Sequence, residues 1–225
     1  MIACIAGLSG CATNGAGTTP TDGSVEVNDF VRSTRWLSYD HEPTETVEAL
    51  ATKADIVVEG VIDGVAPGQS YAPTKDSEPE LATSVLSILV EDVLAGDGTF
   101  VVDAHIFLEI VHPAFHSTGP GEDGEGGGPD EPFDHDAYAE TVPIGVRGIY
   151  FLGDVTDEPY WEFIQDEGAG RPSGAPIMHT HPQGFLIQAS GGPLVSVLEE
   201  LYAMPKAWQE LDSLEDVRAS LASSD

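Results

Sequence analysis

Positive charge is what this chain has least of. Its 225 residues hold eight Lys and Arg against 39 Asp and Glu, a formal net charge of -31. The only lysines are Lys53, Lys75 and Lys206. With no basic patch to neutralise phosphates, nucleic-acid binding is excluded, and direct attraction to an anionic membrane surface is disfavoured on the same ground. Cysteine is nearly as scarce. Cys4 and Cys11 both fall at the start of the chain, so the remainder stands on packing without a disulfide. No later run approaches the roughly 18 apolar residues that cross a bilayer. Gly-x-Ser-x-Gly, His-Glu-x-x-His and a phosphate-cradling Gly-rich loop ahead of a helix are all missing. With 39 acids, no carboxylate pair for glycoside hydrolysis stands out. These gaps point away from the common hydrolases and toward binding or scaffolding.

What is present suits one medium-sized domain. Hydrophobic residues make up 41% of the chain, enough for a proper core. The acids are spread along the whole length. In dilute buffer such a charge repels itself, whereas at about 1 M salt the Debye length falls to ~3 Å and the repulsion is largely screened. The excess therefore reads as adaptation to a saline habitat, in which carboxylates keep the surface hydrated.

The N-terminus carries the most specific motif. Leu8-Ser9-Gly10-Cys11 resembles a bacterial or archaeal lipobox, with small residues beside a cleavage point and a thiol to take a diacylglyceryl group. The resemblance implies that Cys11 becomes the lipidated first residue of an exported, membrane-anchored protein. Residues 1–10 contain no Lys or Arg and form a short apolar stretch, a departure that a start codon farther upstream would explain. On this reading residues 1–11 are a partial signal peptide with its lipobox, 12–24 a flexible tether, and 25–225 a single domain.

Within that domain "VEVNDFVRSTRWLSYDHEP" reads as irregular, with Phe30, Trp36, Leu37 and Tyr39 as apolar handles. Pro43 and Thr44 mark the start of a short helix, with Val47, Leu50, Ala51 and Ala54 on one face. "ADIVVEGVIDGV" reads as a strand and "APGQSYAPTKDSEPE" as a turn-rich loop. "LATSVLSILVEDVL" and "FVVDAHIFLEIV" make a hairpin about the turn "AGDGT". "GVRGIYFLGDV" and "YWEFIQDE" give two more strands about "TDEP". "GFLIQAS" and "PLVSVLEE" form a hairpin closed by Gly191-Gly192. Ser213 and Asp216 cap a final helix with Leu214, Val217 and Leu221 on its apolar stripe.

The expected fold is mainly β: a small OB-like barrel of six or seven strands with a short helix before it and a C-terminal helix. The succession "ADIVVEGVI", "VLAGD" and "VRGIYFL", over about residues 44–165, resembles uncharacterised prokaryotic envelope lipoproteins. It is also similar to the OB-like barrel of netrin-like and metalloproteinase-inhibitor-like domains. Inhibition in that family relies on an N-terminal cysteine held by disulfides, which this chain lacks, so the resemblance implies the fold alone.

Two stretches hold candidate chemistry. An acidic, Gly/His-rich loop at 112–141 contains His112, His116 and His135, with Glu122, Asp123, Glu125, Asp130, Glu131, Asp134 and Asp136. Imidazoles with carboxylates suit zinc or copper, and the carboxylates alone suit calcium. The plainer alternative is a solvated acidic loop. "PIMHTHPQG" places His179 and His181 two apart, on one face of an extended chain, beside Met178. Joined by His112 or His116 they would make a metal site. The expected function is a membrane-tethered extracytoplasmic module for an unidentified protein or small ligand, and the alternative is a zinc- or copper-binding envelope protein. Arg147, in an apolar strand, is expected to pair with an acid. Tyr160 and Trp161 are core residues or the lining of a ligand groove.

Overall fold

Alternating apolar residues in long β-rich runs decide the architecture. The computed structural model describes residues 23–35, 41–116, 131–155 and 163–223. The strands in chain order are β1 (Ile56–Ala72), β2 (Leu81–Gly96), β3 (His105–Pro113), β4 (Phe115–His116), β5 (Glu131–Pro132), β6 (Arg147–Asp154), β7 (Phe163–Gln165), β8 (Met178–Gln188) and β9 (Leu194–Ser196). Five helices accompany them: α1 (Gly23–Thr34), α2 (Val47–Ala51), α3 (His135–Thr141), α4 (Lys206–Gln209) and α5 (Leu214–Ala222).

β1, β2 and β3 pair antiparallel in succession, and β1 also pairs with β6. β6 pairs antiparallel with β8, and β8 meets β3 in parallel at Leu108 and Met178. The order β1-β2-β3-β8-β6 therefore returns to β1 as a closed ring, while β7 adds to β1 and β9 to β8. Closure removes the sheet edges that an open sheet of this size would leave unpaired. This mainly β ring with its flanking helices is the small barrel the sequence leads one to expect.

The period-2 alternation sorts side chains to the two faces of the wall. Ile56, Val58, Ile62, Leu86, Ile88, Ile106, Leu108, Ile110, Tyr150, Leu152, Phe185 and Ile187 share one buried core. Val57, Ile149, Phe151 and Leu186 face outward and are covered by Leu50 of α2, Trp208 of α4 and Leu214 and Val217 of α5. The C-terminal helix starts as its sequence indicates. Ser213 Oγ accepts from the Asp216 N–H, and the Asp216 carboxylate accepts from the Asp212 N–H and the Ser213 hydroxyl. The hairpins β2–β3 and β8–β9 also form as read, the latter with Gly191 at φ +73° in its turn.

Several local expectations are corrected. The segment opening the domain is not irregular: residues 23–34 form α1, and Val27, Phe30 and Val31 enter the barrel core on one helical stripe. Helix α2 starts later than Thr44, with Thr46 as the N-cap accepting from the Ala49 N–H at 3.2 Å. "APGQSYA" is not a loop but the second half of β1. A side chain on Gly68 would collide with Thr83 Oγ1 of β2, so this glycine marks close strand approach rather than a turn. The third strand begins at His105, because Asp103 and Ala104 take positive φ and break the run. β7 pairs with β1, not with β6. The stretch 112–141 is less of a loop than expected, since His112 and Pro113 end β3 and residues 135–141 are α3. The lipobox with Cys11, the tether to residue 22, Trp36, Leu37, Tyr39, Tyr160 and Trp161 lie outside the described residues. No helix among the described residues is long and apolar enough to cross a membrane.

Trp208 is fully buried, and its Nε1–H donates to the Thr44 carbonyl at 2.8 Å. Urea unfolding in molar salt should show Trp208→Ala losing about 3–5 kcal/mol. Trp208→Phe should lose less, with about 1 kcal/mol of it from the hydrogen bond.

Candidate functional site

The register between β6 and β8 breaks at one place. Tyr150 faces Phe185, but Leu152 faces Thr180, so two steps along β6 are matched by five along β8. His181-Pro182-Gln183-Gly184 stand opposite Phe151 alone, an excess of three residues. Pro182 has no N–H for a ladder, which suits a bulge. Gly184 is required, because a Cβ there would lie 2.7 Å from Phe151 Cβ and 3.3 Å from Leu50 Cδ2. The bulge turns Gln183 into the interior. Its amide oxygen accepts from the Thr44 N–H at 2.7 Å, and its nitrogen donates to the Thr44 carbonyl at 3.1 Å. Two side chains, Gln183 and Trp208, thus satisfy the buried backbone of an irregular segment and hold α2 against the barrel wall.

Between α2 and the bulged strand lies a cavity of about 240 Å³, lined by Leu50, Lys53, Ala54, Phe151, Leu152, Gly153, His179, Thr180 and His181. Its walls are largely apolar, yet three of the chain's few basic side chains meet there. His181 Nδ1 accepts from the Gln183 N–H at 3.3 Å, which fixes the neutral tautomer with its proton on Nε2. Burial first, then the nearby His41 and Lys53, push the His181 pKa down to about 4. His41 packs edge-on against His181, with ring centroids 4.9 Å apart. Its Nε2 is 3.1 Å from Glu199 Oε2, an approach that lies off the hydrogen-bond direction.

His179 is held from behind. Its Nε2 donates to Glu109 Oε2 at 2.7 Å. The Tyr71 hydroxyl donates to the same oxygen at 2.8 Å, and Gln69 Nε2 donates to the Tyr71 oxygen at 2.6 Å. Glu109 is only 3% exposed, and these bonds satisfy its buried Oε2. Its Oε1 and the Gln69 Oε1 have no partner among the described residues. The hydroxyl of Thr180 is taken by the Phe151 and His181 carbonyls.

The structure brings together some of the residues expected to act jointly and separates others. His179 and His181 do line one cavity, from a strand rather than from a His-rich loop. His112 is in β3, fully buried, stacked on Phe133 with centroids 4.2 Å apart and packed edge-on to Tyr138. Leu108 and Ile110 face inward with His112, whereas Glu109, which holds His179, faces the other way. The barrel wall therefore parts His112 from His179 and His181. His116 is in β4, and its side chain lies outside the described set, as do Glu122, Asp123, Glu125 and Asp130. His135 opens α3, with its Nδ1 3.1 Å from Ser84 Oγ, and burial lowers its pKa. Among the described residues no three His, Cys, Asp or Glu side chains gather as metal ligands. Sequence reading passed over Glu109 and Lys53. The first was signalled by a lone acid inside the apolar run "IFLEIV", the second by the rarity of lysine in the chain.

Compared with known proteins, the chain matches no family model, no curated protein and no solved structure.

The His181 shift has a consequence for stability. Its folded pKa of about 4 lies below the ordinary 6.5. The unfolded chain therefore binds the proton more readily, and the stability contributed by neutral His181 is full above pH 6.5 and lost as pH falls toward 4. Between pH 7 and 5 the wild type should lose on the order of 1 kcal/mol more than His181→Gln, after allowance for its partial exposure. Unfolding midpoints of both proteins across that range check it.

Proposed function

We propose that the chain is an extracytoplasmic binding module, tethered to the membrane through a lipid on Cys11, adapted to high salt, with its ligand site in the cavity between α2 and β8. The observation that carries the binding site is the meeting of Lys53, His179 and His181 on an apolar hollow in a chain with 39 acids and eight Lys and Arg. Pockets that combine apolar walls with a few convergent polar groups are the usual form of a small-molecule site. Two features favour binding over hydrolysis there. The His179 Nε2 proton is committed to Glu109, and the Thr180 hydroxyl is committed to backbone carbonyls, so neither cavity histidine is placed to activate that hydroxyl. The anchor rests on Leu8-Ser9-Gly10-Cys11.

Expression in a prokaryotic host with a complete signal peptide tests the anchor. The wild type should incorporate labelled fatty acid and sediment with membranes, and Cys11→Ser should do neither. Membrane retention of Cys11→Ser without label would overturn the tether. Salt adaptation has its own readout. Raising KCl from about 0.1 M to about 1 M shortens the Debye length from ~10 Å to ~3 Å. The thermal midpoint should rise steeply over that interval, and a flat response would contradict the reading.

A further inference from the structure

Among the described side chains, Arg32, Arg35, Arg147, Lys206 and Arg218 each face a carboxylate, and Arg171 donates to the Ala175 carbonyl. Lys75 is exposed on a turn, outside the lining of the cavity between α2 and β8. Lys53 stands apart from these. It is exposed just after α2 and lines the cavity; its N–H donates to the Leu50 carbonyl at 3.0 Å, but its side chain has neither an ion pair nor a hydrogen bond to any described residue. In a molecule so rich in acid, a lysine without a carboxylate is held apart from its natural partners. The neutral tautomer of His181 keeps a second donor, Nε2–H, with no partner among the described residues. Against these stand two anions. Asp55 accepts from the Asp154 N–H at 2.9 Å beside Gly153, and Glu109 lies behind His179. Neither carboxylate is part of the lining, however: Glu109 is screened by His179, and Lys53 is the one formally charged side chain in the cavity wall, beside the neutral His181 donor, which suits a single negative charge.

We infer that this cavity takes a small aliphatic monocarboxylate, its carboxylate between Lys53 and His181 and its short tail against Leu50, Ala54, Phe151 and Leu152. The inference rests on the cavity being the ligand site. The volume of about 240 Å³ leaves room for a tail of a few carbons. The net charge of -31 opposes any anion at long range. At molar salt that field is screened beyond a few ångströms, and the local groups decide.

The test is an NMR titration of the full-length chain in molar KCl with butyrate and with its neutral isostere butyramide, following the Leu50 methyl and His181 imidazole signals. Chloride at that concentration competes with any site that takes a bare anion, so saturable butyrate binding reports the tail as well as the charge. Butyrate should saturate at millimolar concentration, lengthening from propionate to butyrate should tighten binding roughly fourfold per methylene, and Lys53→Gln should weaken it about tenfold. The exposed Lys53 side chain makes no hydrogen bond or ion pair with a described residue, and Gln leaves its backbone bond to Leu50 intact, so this variant should keep its fold, which the barrel methyl signals check. His181→Gln, checked for folding by the barrel methyl signals, should weaken butyrate as well. If butyramide binds as tightly as butyrate and Lys53→Gln changes nothing, the anion class is wrong and the cavity remains a ligand site. If neither compound shifts the cavity signals, the inference falls and the cavity loses its role as the site.

Discussion

The pair of hydrogen bonds between the Gln183 amide and the Thr44 backbone is the constraint on which the rest of the outer face depends. Thr44 belongs to no helix or strand, and its buried N–H and C=O need partners or they destabilise the fold. Gln183 supplies both and Trp208 adds a third bond, so one polar contact joins the α2 segment, the β8 bulge and α4. The bulge is what allows Gln183 to face inward, and it also turns His181 toward the cavity. Folding and site are therefore built by the same four residues.

The acid excess is managed by placement. Glu59, buried on the outer face of β1, is braced by Arg218, which also reaches Asp92 at 3.0 Å. Arg147 lies 3.8 Å from Glu59 and 2.8 Å from Glu91, the ion pair expected for it. Arg35 ties the end of α1 to the carbonyls of Ser196 and Val197 and to Glu200. Arg35, Arg147 and Arg218 thus sit where carboxylates are buried or where chain segments cross, whereas Arg32 and Lys206 pair with exposed acids three or four residues away. Lys53 is set apart by lining a cavity with no carboxylate in its wall.

The barrel was legible because its strands obey a period of two: "SVLSILV" and "IFLEIV" leave little choice of face. The helix cap at Ser213 was legible for a similar reason, since Ser213 and Asp216 state it locally. α1 was not, because its apolar stripe of Val27, Phe30 and Val31 is short and the surrounding acids mask it. The second half of β1 was hidden by Pro67 and Gly68, which serve strand contact there and not a turn. His179 and His181 were visible as a pair, but their partners were not. Glu109 lies 70 residues from His179 in sequence, and the pairing follows only from the parallel contact of β3 with β8. The fate of His112 turned on the same geometry, as one residue's difference in alternation sent it to the core and Glu109 to the outside.

The most direct test is hydrogen exchange at the Thr44 amide in molar KCl. An amide in an irregular segment ordinarily exchanges through local fluctuation, at a rate close to that of a loop. Held by Gln183 and coupled to Trp208, it should instead exchange in the slowest class, together with barrel amides such as that of Tyr150. Exchange of Thr44 at the rate of a loop amide, with the barrel amides still protected, would contradict the account: the latch would not form, and the cavity it encloses would have no fixed wall.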